Sequence, residues 1–238
     1  MARERLDRVL SVLGSLRADQ GTSWSRVCVV CAEVLGVGGA GILFMPDGAP
    51  PTALGVSDLV AAALEEAQFT LGEGPGVAAV RDRRPVHESD LGAAAATAWP
   101  AFDEWALHVD VQAVFAFPLQ VGAARLGSLT LYRREPGMLS DDQYVDALAV
   151  AEMISTVILA MQANAPPGRL ADELSGYEGK GFRARVHQAS GVISAQLDIG
   201  VADALVRLRA YAYACNQSVD EVAAEVMAGT LRFDESAE

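Results

Sequence analysis

Helical and strand-like hydrophobic patterns alternate along the first part of the chain. Apolar positions recur at helical spacing over residues 4–17, and a second helix is predicted from about Ser23. A glycine-rich turn then leads into residues 42–45, a short apolar run that is typical of a strand. Residues 58–69 predict a further helix, which the glycines of LGEGPG end.

A strand-rich stretch comes next. Residues 83–91 predict a strand followed by a turn, and residues 98–110 predict a short helix with Pro100 near its first turn. β-Branched and aromatic residues dominate 111–121 and 124–134. The short GAA link between these two runs predicts a hairpin.

Only helices are predicted after the hairpin. A long helix spans 139 to about 163, with the capping-box pair Ser140 and Gln143 at its start. The prolines of NAPPG end it and mark the clearest domain boundary. Three shorter helices are then predicted over 182–197, over 201–215 and from Ser218 onward, where Ser218 and Glu221 repeat the capping-box pattern.

The composition excludes two classes of protein. Hydrophobic residues make up 51% of the 238 residues, which is enough to bury a core and excludes wholesale disorder. With 18 basic and 31 acidic residues, the net charge of −13 makes the chain a poor general binder of polyanions. Residues 180–233 hold six basic and five acidic residues and are the least acidic part. Any nucleic-acid contact must therefore be local.

The sequence predicts a cytoplasmic protein without membrane contact. The N-terminal MARERLDRVL carries charges where a signal peptide needs an apolar stretch. The longest uncharged stretch, between Glu152 and Arg169, contains two prolines and falls short of the ~20 apolar residues that span a bilayer. Three cysteines do not make a disulfide framework and fit a reduced cytosol.

Several residues could carry chemistry, but each has a simpler structural interpretation. Cys28 and Cys31 have C-x-x-C spacing, yet they lie inside an apolar helical stretch and are predicted to pack in the core, as is Cys215. His87 and His108 are isolated candidates for haem or metal ligands. The acidic candidates for acid–base chemistry are Glu73, Glu88, Asp90, Asp103 and Glu104. Because no catalytic spacing and no phosphate loop stands out, we predict a protein with no catalytic residues, no cofactor and no metal.

The stretch from about Phe182 to Phe233 resembles the ANTAR domain. The resemblance is carried by Ala189 and Gly191 in the first helix and by positions in the two later helices, namely Ala204, Leu208, Arg209, Ala212, Val222 and Ala223. That domain is a three-helix output module of bacterial regulators, which binds paired RNA hairpins to prevent transcription termination. The resemblance therefore implies an RNA partner.

Residues of about 20–162 resemble a GAF domain. The segments that carry the resemblance are LGEGPG, PVHESDL, WPAF, FAFPLQV and LGSLTLYR, and they occur in the family's order. The two resemblances together imply an α+β fold class: a GAF-like domain with a central antiparallel sheet flanked by helices, followed by an all-α three-helix bundle. The Arg-rich composition fits regulators of the actinobacterial type.

The expected organisation has four parts. Residues 1–165 form the GAF-like sensor domain with its N-terminal dimerisation helix, residues 166–181 a linker, residues 182–233 the ANTAR-like domain and residues 234–238 an acidic tail. A homodimer is expected through the helices at 4–17 and 141–163, whose apolar faces could alternatively pack on the chain's own sheet.

RNA contacts need arginines for phosphates, together with aromatic or arginine planes for unpaired bases. The expected RNA-binding residues are Arg183, Arg185, His187, Gln188 and Ser190 on the first helix, and Arg207, Arg209 and Tyr211 on the second. These residues could instead be solvated faces of a bundle, and Arg209 could pair with Asp220. Gly191 costs its helix ~1 kcal/mol relative to alanine, which close helix packing or an approaching RNA backbone would offset.

The expected function is signal-responsive transcription antitermination without catalysis. An unknown small ligand of the GAF-like domain is a possible signal. The alternative is a small-ligand or redox sensor whose C-terminal helices contact a protein or DNA partner.

Overall fold

A computed structural model describes residues 24–45, 51–93, 98–164, 180–215 and 217–233. The chain divides into two compact units, an N-terminal unit of Met1–Tyr177 and a C-terminal unit of Glu178–Glu238. The predicted helix at 4–17, the acidic tail and most of the predicted linker lie outside the described residues.

The N-terminal unit is built on a five-stranded sheet in the order β2-β1-β5-β4-β3. Every neighbouring pair is antiparallel. The strands are β1 (Gly39–Phe44), β2 (Thr52–Val56), β3 (Val86–Glu88), β4 (Ala113–Val121) and β5 (Ala124–Arg133). The predicted hairpin is confirmed as β4 and β5, which turn at Gly122 with a positive φ of 57°.

Five described helices surround this sheet: α1 (Trp24–Leu35), α2 (Leu59–Leu71), α3 (Pro75–Asp82), α4 (Pro100–His108) and α5 (Asp141–Asn164). Alternate strand residues point to opposite faces. Phe115 and Phe117 pack with α1 and α5 in one apolar cluster, whereas Val114 packs with α2 and α4 in another. The predicted α+β architecture with a central antiparallel sheet is confirmed.

Helix α5 is long and apolar enough to cross a membrane by length and composition alone. Its Val150, Ile154 and Ile158 are fully buried in the cluster shared with α1 and the sheet. A helix that fills one side of a globular core passes the same test, and the packing of α5 identifies it as such a helix.

Helix α2 is anchored at its start by Asp58. The carboxylate accepts hydrogen bonds from the backbone N–H of Val60 (2.8 Å) and of Ala61 (3.0 Å), which are unsatisfied donors of the first turn. The hydroxyl of Tyr132 on β5 donates to the same carboxylate over 3.0 Å. The start of α2 is therefore fixed to the sheet.

Strand β1 begins at Gly39, three residues before the predicted strand, and β2 was not predicted. Gly39 and Gly41 pair with Tyr132 and Thr130 on β5. A Cβ at Gly41 would lie 2.7 Å from the carboxylate of Glu65, so any larger residue there would displace the buried Glu65 side chain of α2. The predicted glycine-rich turn is confirmed at Gly36, where φ is 61°, whereas Gly39 and Gly41 belong to the strand and pack closely against their neighbours.

The C-terminal unit consists of three described helices: α6 (Lys180–Leu197), α7 (Val201–Ala214) and α8 (Val219–Ala228). Val186, Ile193, Leu208 and Val222 are fully buried and form its core. The predicted capping box at Ser218 is confirmed at the start of α8. The prediction of an all-α three-helix bundle is confirmed.

Candidate functional site

Helix α6 carries five of the residues expected to bind RNA, and one of them is buried. The side chain of Ser190 is fully buried, and its hydroxyl donates to the carbonyl of Val186 over 2.8 Å. Residues four positions apart share a helix face, so Ser190 lies on the buried stripe with Val186. The expectation that Ser190 faces solvent is wrong, and we leave it out of the interface.

Arg185 connects α6 to α8. Its guanidinium lies 2.6 Å from both carboxylate oxygens of Asp220, and the two side chains are 42% and 30% exposed. The sequence suggested Asp220 as a partner for Arg209, but the structure pairs this carboxylate with Arg185. Such a charge-assisted contact holds two helices together.

The remaining residues of α6 differ in their exposure. His187 is half-buried and Gln188 is exposed, while the side chain of Arg183 lies outside the described part of the chain. Gly191 is exposed, and no described atom lies within 4 Å of the position that a Cβ would take there. The expectation of close helix packing at Gly191 is wrong.

Helix α7 presents an arginine and an aromatic ring one turn apart. Arg207 is exposed, and Tyr211 is half-buried, with its ring in a T-shaped pair with that of Phe233 at a centroid distance of 5.3 Å. A hydrogen bond with the Cys215 side chain raises the pKa of Tyr211. Arg209, on another side of the helix, is half-buried, and burial lowers its pKa to about 10.

Arg232 belongs to the same region but was missed by the sequence analysis. It is exposed and immediately precedes Phe233, whose backbone N–H donates to Gln196 of α6 over 3.0 Å. Arg232 follows the last helix, so no periodic pattern marks it. The arrangement of exposed guanidiniums beside aromatic rings can bind phosphates and stack on unpaired bases.

A cleft of about 520 Å³ lies in the N-terminal unit, between α3, β3 and the start of α4. Its lining includes Arg81, Arg84, Val86 and Trp99. Glu73 also lines it, and its carboxylate accepts the backbone N–H groups of Ala101 and Phe102 at the start of α4. This acidic candidate is therefore a helix cap, and the cleft is a candidate binding site for a small molecule.

The space between α2 and the sheet is filled by side chains of the chain itself. The Gln68 carbonyl oxygen accepts the backbone N–H of Gly76 over 2.6 Å. A Cβ at Gly74, where φ is 129°, would lie 2.8 Å from the Gln68 side chain. The glycines of LGEGPG therefore turn the chain and allow Gln68 to approach it closely.

Cys28 and Cys31 are fully buried, as predicted for core packing. Burial raises the pKa of Cys31 to about 12 and that of Cys28 well above its ordinary value. Burial therefore disfavours the thiolate form of both residues, which is the form that redox or zinc chemistry uses. Cys215, in contrast, is exposed at the end of α7, so the prediction that it packs in the core is wrong.

The two histidine candidates have different environments. His87 packs against the rings of Phe115, Phe117 and Tyr144, and burial lowers its pKa. His108 is exposed, and its Nδ1 lies 2.7 Å from the backbone oxygen of Glu104. Within the described ranges, no group of three or more His, Cys, Asp or Glu side chains could hold a metal ion.

Comparisons with known proteins identify both units. Residues 182–227 match the family model of the ANTAR domain, a known RNA-binding domain. No curated protein matches the chain. The GAF domain of a phosphoenolpyruvate-protein phosphotransferase from Coxiella burnetii superposes with a TM-score of 0.52 and 16% identity, covering 68% of this chain and 97% of that one.

A second GAF domain, from the Acinetobacter phosphoenolpyruvate-protein phosphotransferase, has a TM-score of 0.52 and 12% identity, covering 70% of this chain and 99% of that one. At these identities the likeness establishes the fold alone. The chain therefore carries an ANTAR domain at residues 182–227 after a unit with the GAF fold.

Proposed function

We propose that this chain is a cytoplasmic transcription antitermination regulator, whose ANTAR domain binds paired hairpins in nascent RNA under the control of its GAF unit. The observation that carries the proposal is the ANTAR match at 182–227 on a compact three-helix unit, in which Arg207 is exposed one turn from Tyr211. An exposed guanidinium binds phosphate and the face of an aromatic ring stacks on an unpaired base, which are the contacts that hairpin loops require.

The proposed mechanism is a binding equilibrium and needs no catalytic group. When the domain holds two hairpins, the RNA segment that they occupy cannot form a terminator hairpin. A signal changes this outcome only if it binds one arrangement of the protein better than another.

The cleft beside α3 is where we place the small-molecule signal. Its volume of about 520 Å³ lies within the range of ~300–1,000 Å³ that is usual for ligand pockets. Trp99 offers an apolar surface there, and the charges of the lining are balanced, because Arg81 and Arg84 both pair with Asp82 and Glu73 adds a second carboxylate.

A homodimer provides the second element of the proposed control. Val145, Leu148 and Leu159 are exposed on α5, with Val29 exposed on α1. Apolar side chains spaced along a helix bury well against a second copy related by a two-fold axis. The predicted helix at 4–17 would add to this interface.

A gel-shift experiment with the full chain tests the function. The probe is a synthetic RNA of two adjacent stem-loops, and the control is an unstructured RNA of the same length and composition. We expect retention of the two-hairpin RNA only, with affinity that falls as salt rises because counterions are released. Equal affinity for both RNAs, or retention of neither while a protein co-purifies with the chain, would favour the alternative function.

A further inference from the structure

We propose that the RNA-contacting surface of the C-terminal unit continues past the last helix, so that Arg207 and Arg232 flank a ring pair formed by Tyr211 and Phe233. This inference rests on the proposed RNA-binding function and names the face that performs it. Arg232 and Phe233 follow residue 227, where the family match ends, so the match does not imply them.

The arginines of the C-terminal unit differ in their availability. Arg185 is engaged by Asp220, and Arg209 is half-buried. Arg207 and Arg232 are exposed, and neither forms an ion pair or a hydrogen bond within the described residues. These two guanidiniums can therefore bind a phosphate without breaking an existing contact.

Contacts of Phe233 hold the chain next to Arg232 against the bundle. The Phe233 and Tyr211 rings form a T-shaped pair with 5.3 Å between centroids, and the backbone N–H of Phe233 donates to Gln196. Arg207 precedes Tyr211 by one helical turn, a spacing that places the two side chains side by side. Each arginine therefore adjoins one ring of the pair: Arg207 lies one turn from Tyr211, and Arg232 precedes Phe233 in the chain.

The turn that leads to Arg232 is held by its own hydrogen bonds. Gly229 ends α8 in the left-handed region with φ of 74°, and the N–H groups of Thr230 and Leu231 both donate to the carbonyl of Glu225. Since Phe233 is also buried, the residues on both sides of Arg232 have defined positions. The backbone around Arg232 therefore loses little conformational entropy when RNA binds.

This surface matches the chemistry of an RNA hairpin loop. Arginine guanidiniums bind backbone phosphates, and the half-buried Tyr211 ring is the aromatic group on which an unpaired base would stack. The nearest acidic position along α7 is Asp203, one turn before Arg207, and it is exposed. Asp203 would repel the same backbone, so removing its charge should change RNA affinity in the opposite direction to removing the charge of Arg207.

The test measures RNA affinity of the full chain over a range of salt concentrations. The probe is a library of two-stem-loop RNAs with randomised loops, enriched on the unsubstituted protein. Arg207→Gln and Arg232→Gln should each lower affinity about sixfold at ~0.1 M salt and reduce the salt slope by ~0.8, the amount expected for one lost phosphate contact. The double variant should lose twice that slope.

Two further variants act as controls. Arg125→Gln, at an exposed arginine of β5 outside the proposed cleft, makes the same charge change and should leave affinity unchanged. Asp203→Asn should raise affinity. If Arg232→Gln binds RNA like Arg125→Gln, the proposed surface is wrong even though RNA binding stands. If the unsubstituted chain enriches no RNA, the proposed function fails and the surface fails with it.

Substitutions of Tyr211 test the aromatic part. Tyr211→Phe keeps the ring and should bind normally, whereas Tyr211→Leu should lose at least about fivefold in affinity, the lower range for one stacked base. Circular dichroism verifies that the leucine variant is folded. Equal affinity of the folded leucine and phenylalanine variants would remove the stacking role.

Discussion

We predict that Arg185 stabilises the C-terminal unit through its ion pair with Asp220 and does not contact RNA. Its contacts of 2.6 Å join α6 to α8, and the side chains are 42% and 30% exposed. Because solvent screens a partly exposed pair, we expect a coupling energy of about 1 kcal/mol, at the upper end for such pairs. In a domain of this size, that change lowers the Tm by ~4–8 °C.

A double-mutant cycle with Arg185→Gln and Asp220→Asn measures this coupling. All three tryptophans lie in the N-terminal unit, so tryptophan fluorescence follows that unit alone, whereas circular dichroism follows the helices of both. The C-terminal transition should move by about the same amount in each single variant and in the double variant, because one interaction is lost in all three.

RNA affinity of the same variants, measured well below the melting transition, shows whether Arg185 also contacts phosphate. If Arg185 is structural, neither substitution changes the salt slope of RNA binding. If Arg185 contacts phosphate, Arg185→Gln reduces the slope, while Asp220→Asn releases the arginine and strengthens binding. Opposite effects of these substitutions on affinity, without loss of stability, would refute the structural interpretation.

Three other predictions concern different parts of the chain. Burial lowers the pKa of His87, so the folded state binds fewer protons than the unfolded state. The stability of the N-terminal unit should therefore fall as the pH drops below ~6.5. Urea unfolding followed by tryptophan fluorescence should show a smaller decline in the His87→Phe variant. Gly191→Ala should stabilise the C-terminal unit by ~1 kcal/mol in a thermal melt, since the added methyl group meets open space. RNA affinity should not change in this variant, and a lower affinity would indicate that RNA contacts α6. Leu148→Glu should convert a dimer into a monomer in light scattering, because it places a charge in the proposed interface; a monomeric unsubstituted chain would contradict the dimer.

Local rules predicted much of the fold. The capping box at Ser140 is confirmed: Gln143 donates its backbone N–H to the serine hydroxyl, and its side-chain oxygen accepts the serine N–H. The hairpin of β4 and β5 is confirmed because β-branched runs joined by a short glycine link have few alternatives. In each case the determining residues lie within a few positions of one another.

Features that depend on distant residues could not be predicted in this way. Gly39 and Gly41 have no side chain to mark a strand, and only Tyr132 and Glu65, far along the chain, show why glycine is required. Helical periodicity likewise gives the face on which Arg185 lies but not its partner, which is 35 positions away.

In the candidate RNA-binding site, too, residues within one helix could be predicted from the sequence and residues brought in by distant contacts could not. Arg207 and Tyr211 were both expected on the second helix of the unit, and their spacing of four residues places them one turn apart on α7. Arg232 follows the last helix, where no pattern applies, and only the packing of Phe233 on Tyr211 places it in this region. A short basic and aromatic pair after a terminal helix is too common a sequence to indicate an interface by itself.

Crosslinking the chain to RNA in living cells and sequencing the bound fragments tests RNA binding most directly. The recovered reads should concentrate on pairs of adjacent stem-loops that overlap transcription terminators, and they should be strongly depleted with the Arg207→Gln, Arg232→Gln double variant. Reads spread evenly over abundant transcripts, with equal recovery from the double variant, would contradict the assignment of this C-terminal unit as a specific RNA-binding domain.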